Sequence, residues 1–249
     1  MKFVVTAGPT REHLDPVRFL SNPSTGKMGF AVARAAAMRG HEVALVAGPV
    51  SLKTPKGVRR IDVTSAREML AAVEKELFAN SRDMVRYSNG RVGDAPLPVG
   101  AALRADRISQ CSMVFVSTAA VADWRPAKCA ARKLKKGQMS DILKLVRNPD
   151  ILKTVARRAK HQAPARASTI FVGFAAETND VIAEARRKCR EKNLDMIVAN
   201  DVTEKGSGFG VDTNRVTFVR KDGSVERLPL MTKLAVARRI VRECEDLRP

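Results

Sequence analysis

The residues best suited to chemistry in this chain of 249 residues follow short apolar runs. The first group is Asp15-Pro16-Val17-Arg18-Phe19-Leu20-Ser21-Asn22-Pro23-Ser24-Thr25-Gly26-Lys27-Met28-Gly29. It comes after Phe3-Val4-Val5-Thr6-Ala7 and leads into an Ala-rich amphipathic stretch, Phe30 to Met38. This order predicts a strand, a long polar loop and a helix whose start is built from Ser, Thr and Gly. Bare backbone N–H groups and the positive end of the helix dipole meet there, which makes an anion site. Arg18 and Asn22, inside the loop, are suited to grip a carboxylate or an acyl oxygen. The expected ligand is phosphorylated.

Three further segments share this setting: Ser117-Thr118-Ala119-Ala120-Val121-Ala122-Asp123, Gly173-Phe174-Ala175-Ala176-Glu177-Thr178 and Asn200-Asp201-Val202. Each follows a predicted strand and mixes small residues with one or two polar groups, as a close-fitting cleft requires. In an open α/β sheet all of them should meet outside the carboxyl ends of the strands. Asp123 could hold a ribose hydroxyl or a metal-bound water, or it could simply cap a helix or brace a loop. Lys133-Leu134-Lys135-Lys136 could close over a triphosphate and neutralise charge on a leaving pyrophosphate. As a bare run of lysines it more often reads as a solvated face. Lys188 and Lys192 lie four apart and share a helix face, and alone they read as surface lysines. Glu177-Thr178 reads first as a helix start.

His13, His41 and His161 lie far from these segments, so no histidine base is indicated, and no Ser–His–Asp arrangement suggests a nucleophile. Chemistry of this kind works by positioning and charge neutralisation, as in phosphoryl or nucleotidyl transfer. The residues alone therefore point to a ligase or transferase acting on a nucleotide and an anionic small molecule.

Two common phosphate-binding patterns are missing. A dinucleotide fingerprint packs three glycines between strand and helix and ends the second strand on an acid. Here Gly8 and Gly26 are far apart, and Glu42 to Ala47 runs into Gly48-Pro49. A P-loop needs Gly with four residues between it and Gly-Lys, then Ser or Thr; Ser21 and Met28 occupy those places.

Stepping out to the elements, short β-branched runs alternate with helical ones. That argues for an α/β fold: a Rossmann-like, mostly parallel sheet with helices on both faces. Strands are expected near Lys2–Ala7, Glu42–Ala47, Val58–Asp62, Met113–Ser117, Thr169–Phe174 and Met196–Ala199. Helices are expected near Lys27–Arg39, Ser65–Phe78, Asp150–Lys160, Thr178–Lys192 and Thr232–Glu243. Thr64-Ser65-Ala66-Arg67-Glu68 resembles a capping box. Near the C-terminus, Arg215–Arg220 and Ser224–Leu228 flank Lys221-Asp222-Gly223 as a β-hairpin. The whole, residues 1–249, reads as one domain. Within it, residues 80–109 form a loop insertion with no clear periodicity, and residues 125–141 form a basic flap.

The four cysteines are isolated, suggesting neither zinc nor a disulfide framework, and a reducing, cytoplasmic setting is expected. No apolar run approaches the roughly 20 residues of a membrane helix, and the chain opens on its first strand, leaving no room for a signal peptide. The net charge of +19 favours polyanionic ligands. Against dedicated nucleic-acid binding stand a single Trp and a single Tyr, too few for stacking platforms.

Together these blocks resemble the phosphopantothenoylcysteine synthetase (phosphopantothenate–cysteine ligase) family. The matching residues are Asp15–Asn22 with Ser24–Gly29, Ala119–Asp123, Lys133–Lys136, Val146-Arg147-Asn148-Pro149-Asp150, Gly173–Thr178 and Val198-Ala199-Asn200-Asp201. They occur in the family's order and span nearly the whole chain. The resemblance implies a two-step reaction in coenzyme A biosynthesis. The carboxylate of 4′-phosphopantothenate attacks the α-phosphate of CTP, less commonly ATP, with Mg²⁺. L-cysteine then attacks the acyl-nucleotide and releases the nucleoside monophosphate. It further implies that Asn22 and Lys133 are catalytic, that Arg18, Ala119 and Ala120 bind substrate, and that Asp123, Asn148, Pro149, Phe174, Lys188 and Lys192 form the nucleotide site. A homodimer is expected, with Arg18 reaching across its interface; metal ligands are not indicated.

Departures from the family pattern are Pro9 in the first turn, which removes an N–H, Pro23 for a frequent His, Arg147 for a frequent Lys and Trp124 for a usual Tyr. The family's frequent flavin-dependent decarboxylase partner is not found in this sequence, so that step is expected on another polypeptide. Two other readings stand beside this one. An NADP-dependent short-chain oxidoreductase would share the sheet, but the glycine fingerprint and a Tyr-x-x-x-Lys pair are missing. A nucleic-acid-binding protein is suggested by charge alone.

Overall fold

The computed structural model describes residues 1–78, 113–135, 142–161, 169–177, 180–201, 203–204, 206–208 and 210–247. The expected 80–109 insertion and the last part of the flap, 136–141, lie outside them.

Strands β1 (Lys2–Ala7), β4 (Glu42–Ala47), β5 (Arg59–Asp62), β6 (Met113–Ser117), β9 (Thr169–Glu177), β10 (Met196–Asp201), β12 (Thr217–Arg220) and β13 (Val225–Arg227) build one sheet. Their order is β13-β12-β10-β9-β6-β1-β4-β5. The pairs from β5 through β10 are parallel, whereas β10–β12 and β12–β13 are antiparallel. The chain winds outward from β1 through β4 to β5, then restarts at β6 on the opposite side of β1. Strand order therefore reverses between β1 and β6, and the carboxyl ends of those two strands open the crevice where such sheets bind ligands.

Burial on both faces explains why the central strands read as continuous apolar runs rather than alternating ones: Phe3, Val4 and Val5 are all fully buried. One face packs against α1 (Lys27–Met38) and α5 (Lys233–Asp246), through Val32, Ala33, Ala36, Val236 and Ile240. The other packs against α2 (Ala66–Phe78), α3 (Ile151–His161) and α4 (Val181–Glu191), through Met69, Val73, Val155 and Ala185. The fold is the expected Rossmann-like one, with helices on both faces. The box before α2 is present: Ser65 Oγ accepts from the Glu68 N–H at 3.3 Å, and Glu68 Oε2 accepts from the Thr64 N–H at 2.8 Å.

Three short ribbons were not anticipated: β2 (Arg11–His13) with β3 (Phe19–Ser21), β7 (Trp124–Pro126) with β8 (Leu145–Arg147), and β11 (Thr213–Asn214) with β14 (Met231–Thr232). Each strand has two or three residues, too few to set up a period. Two boundaries also moved. The expected flap at residues 125–141 begins inside β7. Glu177 ends a strand rather than starting a helix, because β9 continues beside β10 as far as the Asp201–Glu177 pair.

Candidate active site

A cleft of about 420 Å³ lies over the switch point. Its wall on the β1 side is the start of α1. Gly26 precedes the helix at φ 77°, a conformation that favours glycine. No side chain caps the helix and no acid stands in its first turn, so the N–H groups of Lys27, Met28 and Gly29 remain for an anion. The helix reaches this position because Gly29 lies against the strand: a Cβ there would stand 2.5 Å from Ala7 Cβ and 2.9 Å from Thr6 O.

The opposite wall is the segment Ser117–Asp123, locked to the loop after β1. Thr118 Oγ1 donates to Thr6 O at 2.6 Å, the Ala120 N–H to Gly8 O at 2.9 Å and the Ala122 N–H to Thr10 Oγ1 at 3.0 Å. The Ala119 N–H is turned to Thr6 Oγ1 at 3.3 Å. The N–H groups of Ala119 and Ala120 are thus spent inside the protein. Asn22 bridges the two walls, its Nδ2 donating to Ala120 O at 3.2 Å and Val121 O at 3.1 Å. With its donors engaged, Oδ1 is the polar atom Asn22 presents.

Four expected segments do meet here: Asn22 with Ser24–Gly29, Ser117–Asp123, Phe174 with Ala176, and Asn200 all line the cleft. So do Asn148, Pro149 and Lys192. Asn148 is mainly a brace: Nδ2 donates to Ala122 O at 2.8 Å, its N–H to Asp123 O at 2.8 Å, and Oδ1 accepts from Arg125 at 3.1 Å. Asp150 caps α3 through the Lys153 N–H at 2.9 Å and pairs with Lys192 at 2.7 Å. That pair holds one ammonium at the rim.

Three expected site residues stand outside the lining. Lys188 is engaged by Glu177. Lys133 is exposed on the described part of the flap and makes no ion pair among the described residues. Arg18 lies in the turn between β2 and β3, where it grips the fully buried Asp15 and donates to Leu134 O at 2.9 Å. Asp15 also accepts from the N–H groups of Val17 and Arg18, both at 2.9 Å, and of Leu134 at 3.2 Å. The Arg18 guanidinium holds the Asp15 carboxyl well below the usual carboxylate range. This carboxylate therefore ties the root of the flap to the β2–β3 turn, a connection the sequence did not reveal.

The cleft is also lined by groups not anticipated as site residues, Lys233, Asn214 and Gly208, beside Lys27 of the expected α1 start. Lys233 is 7 % exposed, and burial, with Lys27 nearby, pushes its pKa down. It opens the arginine-rich helix α5, for which only a helix, with no site residue, was expected. No local signal separated it from its neighbours.

Such a sheet, with its cleft at the switch point beside an uncapped helix start, defines a Rossmann-like α/β protein. The chain belongs to the family described as DNA/pantothenate metabolism flavoprotein C-terminal domain, which matches residues 1–86 and 102–247. It is 43% identical over 238 residues to the coenzyme A biosynthesis bifunctional protein CoaBC of Vibrio cholerae, covering 95% of this chain and 50% of that protein. To the CoaBC of Bacillus subtilis it is 43% identical over 245 residues, covering 98% of this chain and 51% of that protein. The chain spans about half the length of these curated relatives. A crystal structure of the C-terminal domain of CoaBC superposes with a TM-score of 0.70 at 37% identity, covering 99% of this chain and 94% of the other.

Proposed function

We propose that this chain is a phosphopantothenate–cysteine ligase of coenzyme A biosynthesis, working through an acyl-nucleotide. The observation that carries the reading is the meeting of Asn22, the uncapped start of α1 and Asp123 in one cleft. In the first step a carboxylate oxygen of 4′-phosphopantothenate bonds to the α-phosphorus of the nucleotide, and the bond to pyrophosphate breaks. In the second, the cysteine amine bonds to the acyl carbon and the nucleoside monophosphate leaves with the former carboxylate oxygen. Neither step needs the enzyme to become covalently modified.

The N–H groups opening α1 cradle phosphate oxygens, and Lys133 swings its unpaired ammonium from the flap onto the developing pyrophosphate. Asp123 takes the ribose, Phe174 packs beside the base, and Lys192, Lys188, Asn148 and Pro149 frame that end of the cleft. Ala119 and Ala120 border the acyl group. Asn22 holds the acyl-nucleotide, its Oδ1 placed to accept a hydrogen bond from the attacking amine, whose released proton passes to the departing phosphate or to water. Mg²⁺ fits this donor set, since Asp123 is an exposed carboxylate in the cleft and Mg²⁺ binds through one or two carboxylates plus substrate phosphates. The ion would neutralise phosphate charge.

A homodimer suits the surface beside the cleft. The β2–β3 and β7–β8 ribbons lie against each other and expose Val17, Phe19, Trp124, Leu143 and Leu145, an apolar area that a second copy would cover. Arg18 sits at this edge and reaches the pantothenate part of a ligand only in the partner's cleft.

The test supplies phosphopantothenate, cysteine, Mg²⁺ and each nucleoside triphosphate in turn, and follows pyrophosphate release. Turnover is expected with CTP, and weakly or not at all with ATP. No release with any triphosphate would overturn the reading.

A further inference from the structure

Two helices on the same face of the sheet, α1 and α5, both begin with a lysine, Lys27 and Lys233. Both lysines line the cleft, and neither helix carries an acid in its first turn. A cation at a helix N-terminus sits against the dipole, and burial adds a desolvation cost. Lys233 meets both penalties, being buried at the first residue of α5, while Thr232 Oγ1 caps that helix by accepting from the Ala235 N–H at 3.2 Å.

What holds Lys233 is backbone. Its Nζ donates to Gly208 O at 3.0 Å and Val211 O at 2.6 Å. Lys27 Nζ donates to the intervening Gly210 O at 2.8 Å and pairs with Asp212 at 2.7 Å. Two ammonium groups thus draw three carbonyls and one carboxylate of a glycine-rich segment onto two helix starts. The charges do not balance: the Asp212 side chain is 86 % exposed and, among the described residues, is the one carboxylate paired with these two lysines at two helix starts. Beside them Asn214, 4 % exposed, lines the cleft with its buried Oδ1 unpartnered among the described residues. A buried acceptor without a donor is rare in a finished structure; it calls for a hydroxyl or an amine rather than a phosphate oxygen, so the group it awaits lies beside the phosphates, whose charge the two lysines match.

We propose that Lys233, acting with Lys27, is a positioning residue for the triphosphate. With Lys27 it pins the Gly208, Gly210 and Val211 carbonyls beside the phosphate compartment, and the uncompensated positive charge there is matched by the β- and γ-phosphates that leave as pyrophosphate. The proposal rests on the ligase reading for the identity of the anion but not for its charge class.

Calorimetric titration of the full chain with inorganic pyrophosphate, and KM measurements for CTP and cysteine, test it together. Lys233→Met keeps the stem and removes the donors. It should weaken pyrophosphate binding and raise the KM for CTP at least about tenfold, the effect of losing a charged hydrogen-bond arrangement, while the KM for cysteine stays within about twofold on the same grounds. A general loosening of the fold would move both KM values together. Lys27→Gln, at a more accessible position, should weaken pyrophosphate binding in the same direction, and it carries the test if Lys233→Met does not fold. Unchanged pyrophosphate affinity in either folded variant would overturn the proposal, as would a wild-type chain that does not bind pyrophosphate. A wild-type chain that binds pyrophosphate yet joins no phosphopantothenate to cysteine would sink the ligase reading and leave the phosphate compartment standing.

Discussion

Gly29→Ala puts the geometry of the α1 start under direct strain. Inside a helix, alanine is normally favoured over glycine by about 1 kcal/mol, so propensity alone predicts a stabilised protein. The surroundings reverse the sign. A Cβ at Gly29 would stand 2.5 Å from Ala7 Cβ and 2.9 Å from Thr6 O, both on a central strand paired on each side. Neither can retreat, and Thr118 Oγ1 closes the third direction. Restoring ordinary contact of roughly 3.5–4 Å requires the helix start to move outward by about 1 Å. Overpacking of this kind typically costs about 1–3 kcal/mol, so after the propensity gain of about 1 kcal/mol a net loss of up to about 2 kcal/mol is expected. The same shift carries the N–H groups of Lys27 and Met28 away from the phosphates, and a displacement of that size can cost about 100-fold in rate. Urea unfolding followed by circular dichroism measures the first effect, and single-turnover pyrophosphate release measures the second. A variant as stable as wild type and within about twofold of its rate would show that α1 does not set the phosphate site, because the strain argument forbids that outcome.

Asn22→Ala should let the acyl-nucleotide accumulate, visible by rapid quench and mass spectrometry; product formation at the wild-type rate would remove Asn22 from aminolysis. Lys133→Gln should slow pyrophosphate release by at least about tenfold, measured in a coupled phosphate assay, with unfolding unchanged because the side chain is exposed. Asp15→Asn should destabilise the chain at neutral pH and loosen the flap, read as faster hydrogen exchange around Leu134. The sign follows from linkage: the folded pKa lies below the ordinary 3.8, so the carboxylate's stabilisation is full above that value and is lost as pH falls through the folded pKa. The gap in urea midpoint between wild type and Asp15→Asn should therefore close on acidification, and a gap that widens below pH ~4 would contradict it.

How much of this was legible depended on the range of the interactions. Strands buried on both faces are written in consecutive residues, so Phe3-Val4-Val5 and Val114-Phe115-Val116 declare themselves. The start of α1 is equally local, since Gly26 supplies the positive φ and Gly29 the close approach. The ribbons were invisible because two or three residues show no period, and their pairing depends on partners such as Arg147 opposite Trp124, more than twenty positions apart. Charge was the least readable quantity. Arg18 and Lys133 both read as ligand cations, and for Arg18 the structure adds a second task, holding Asp15 and the flap root. Lys233 carried no expectation of its own, yet it is buried and bridges two carbonyls. The sign of a side chain is local, while its counter-charge is set by topology. A cation whose partners are only carbonyls, at a helix start facing a cleft, is therefore where a structure can identify an anion site that its sequence conceals.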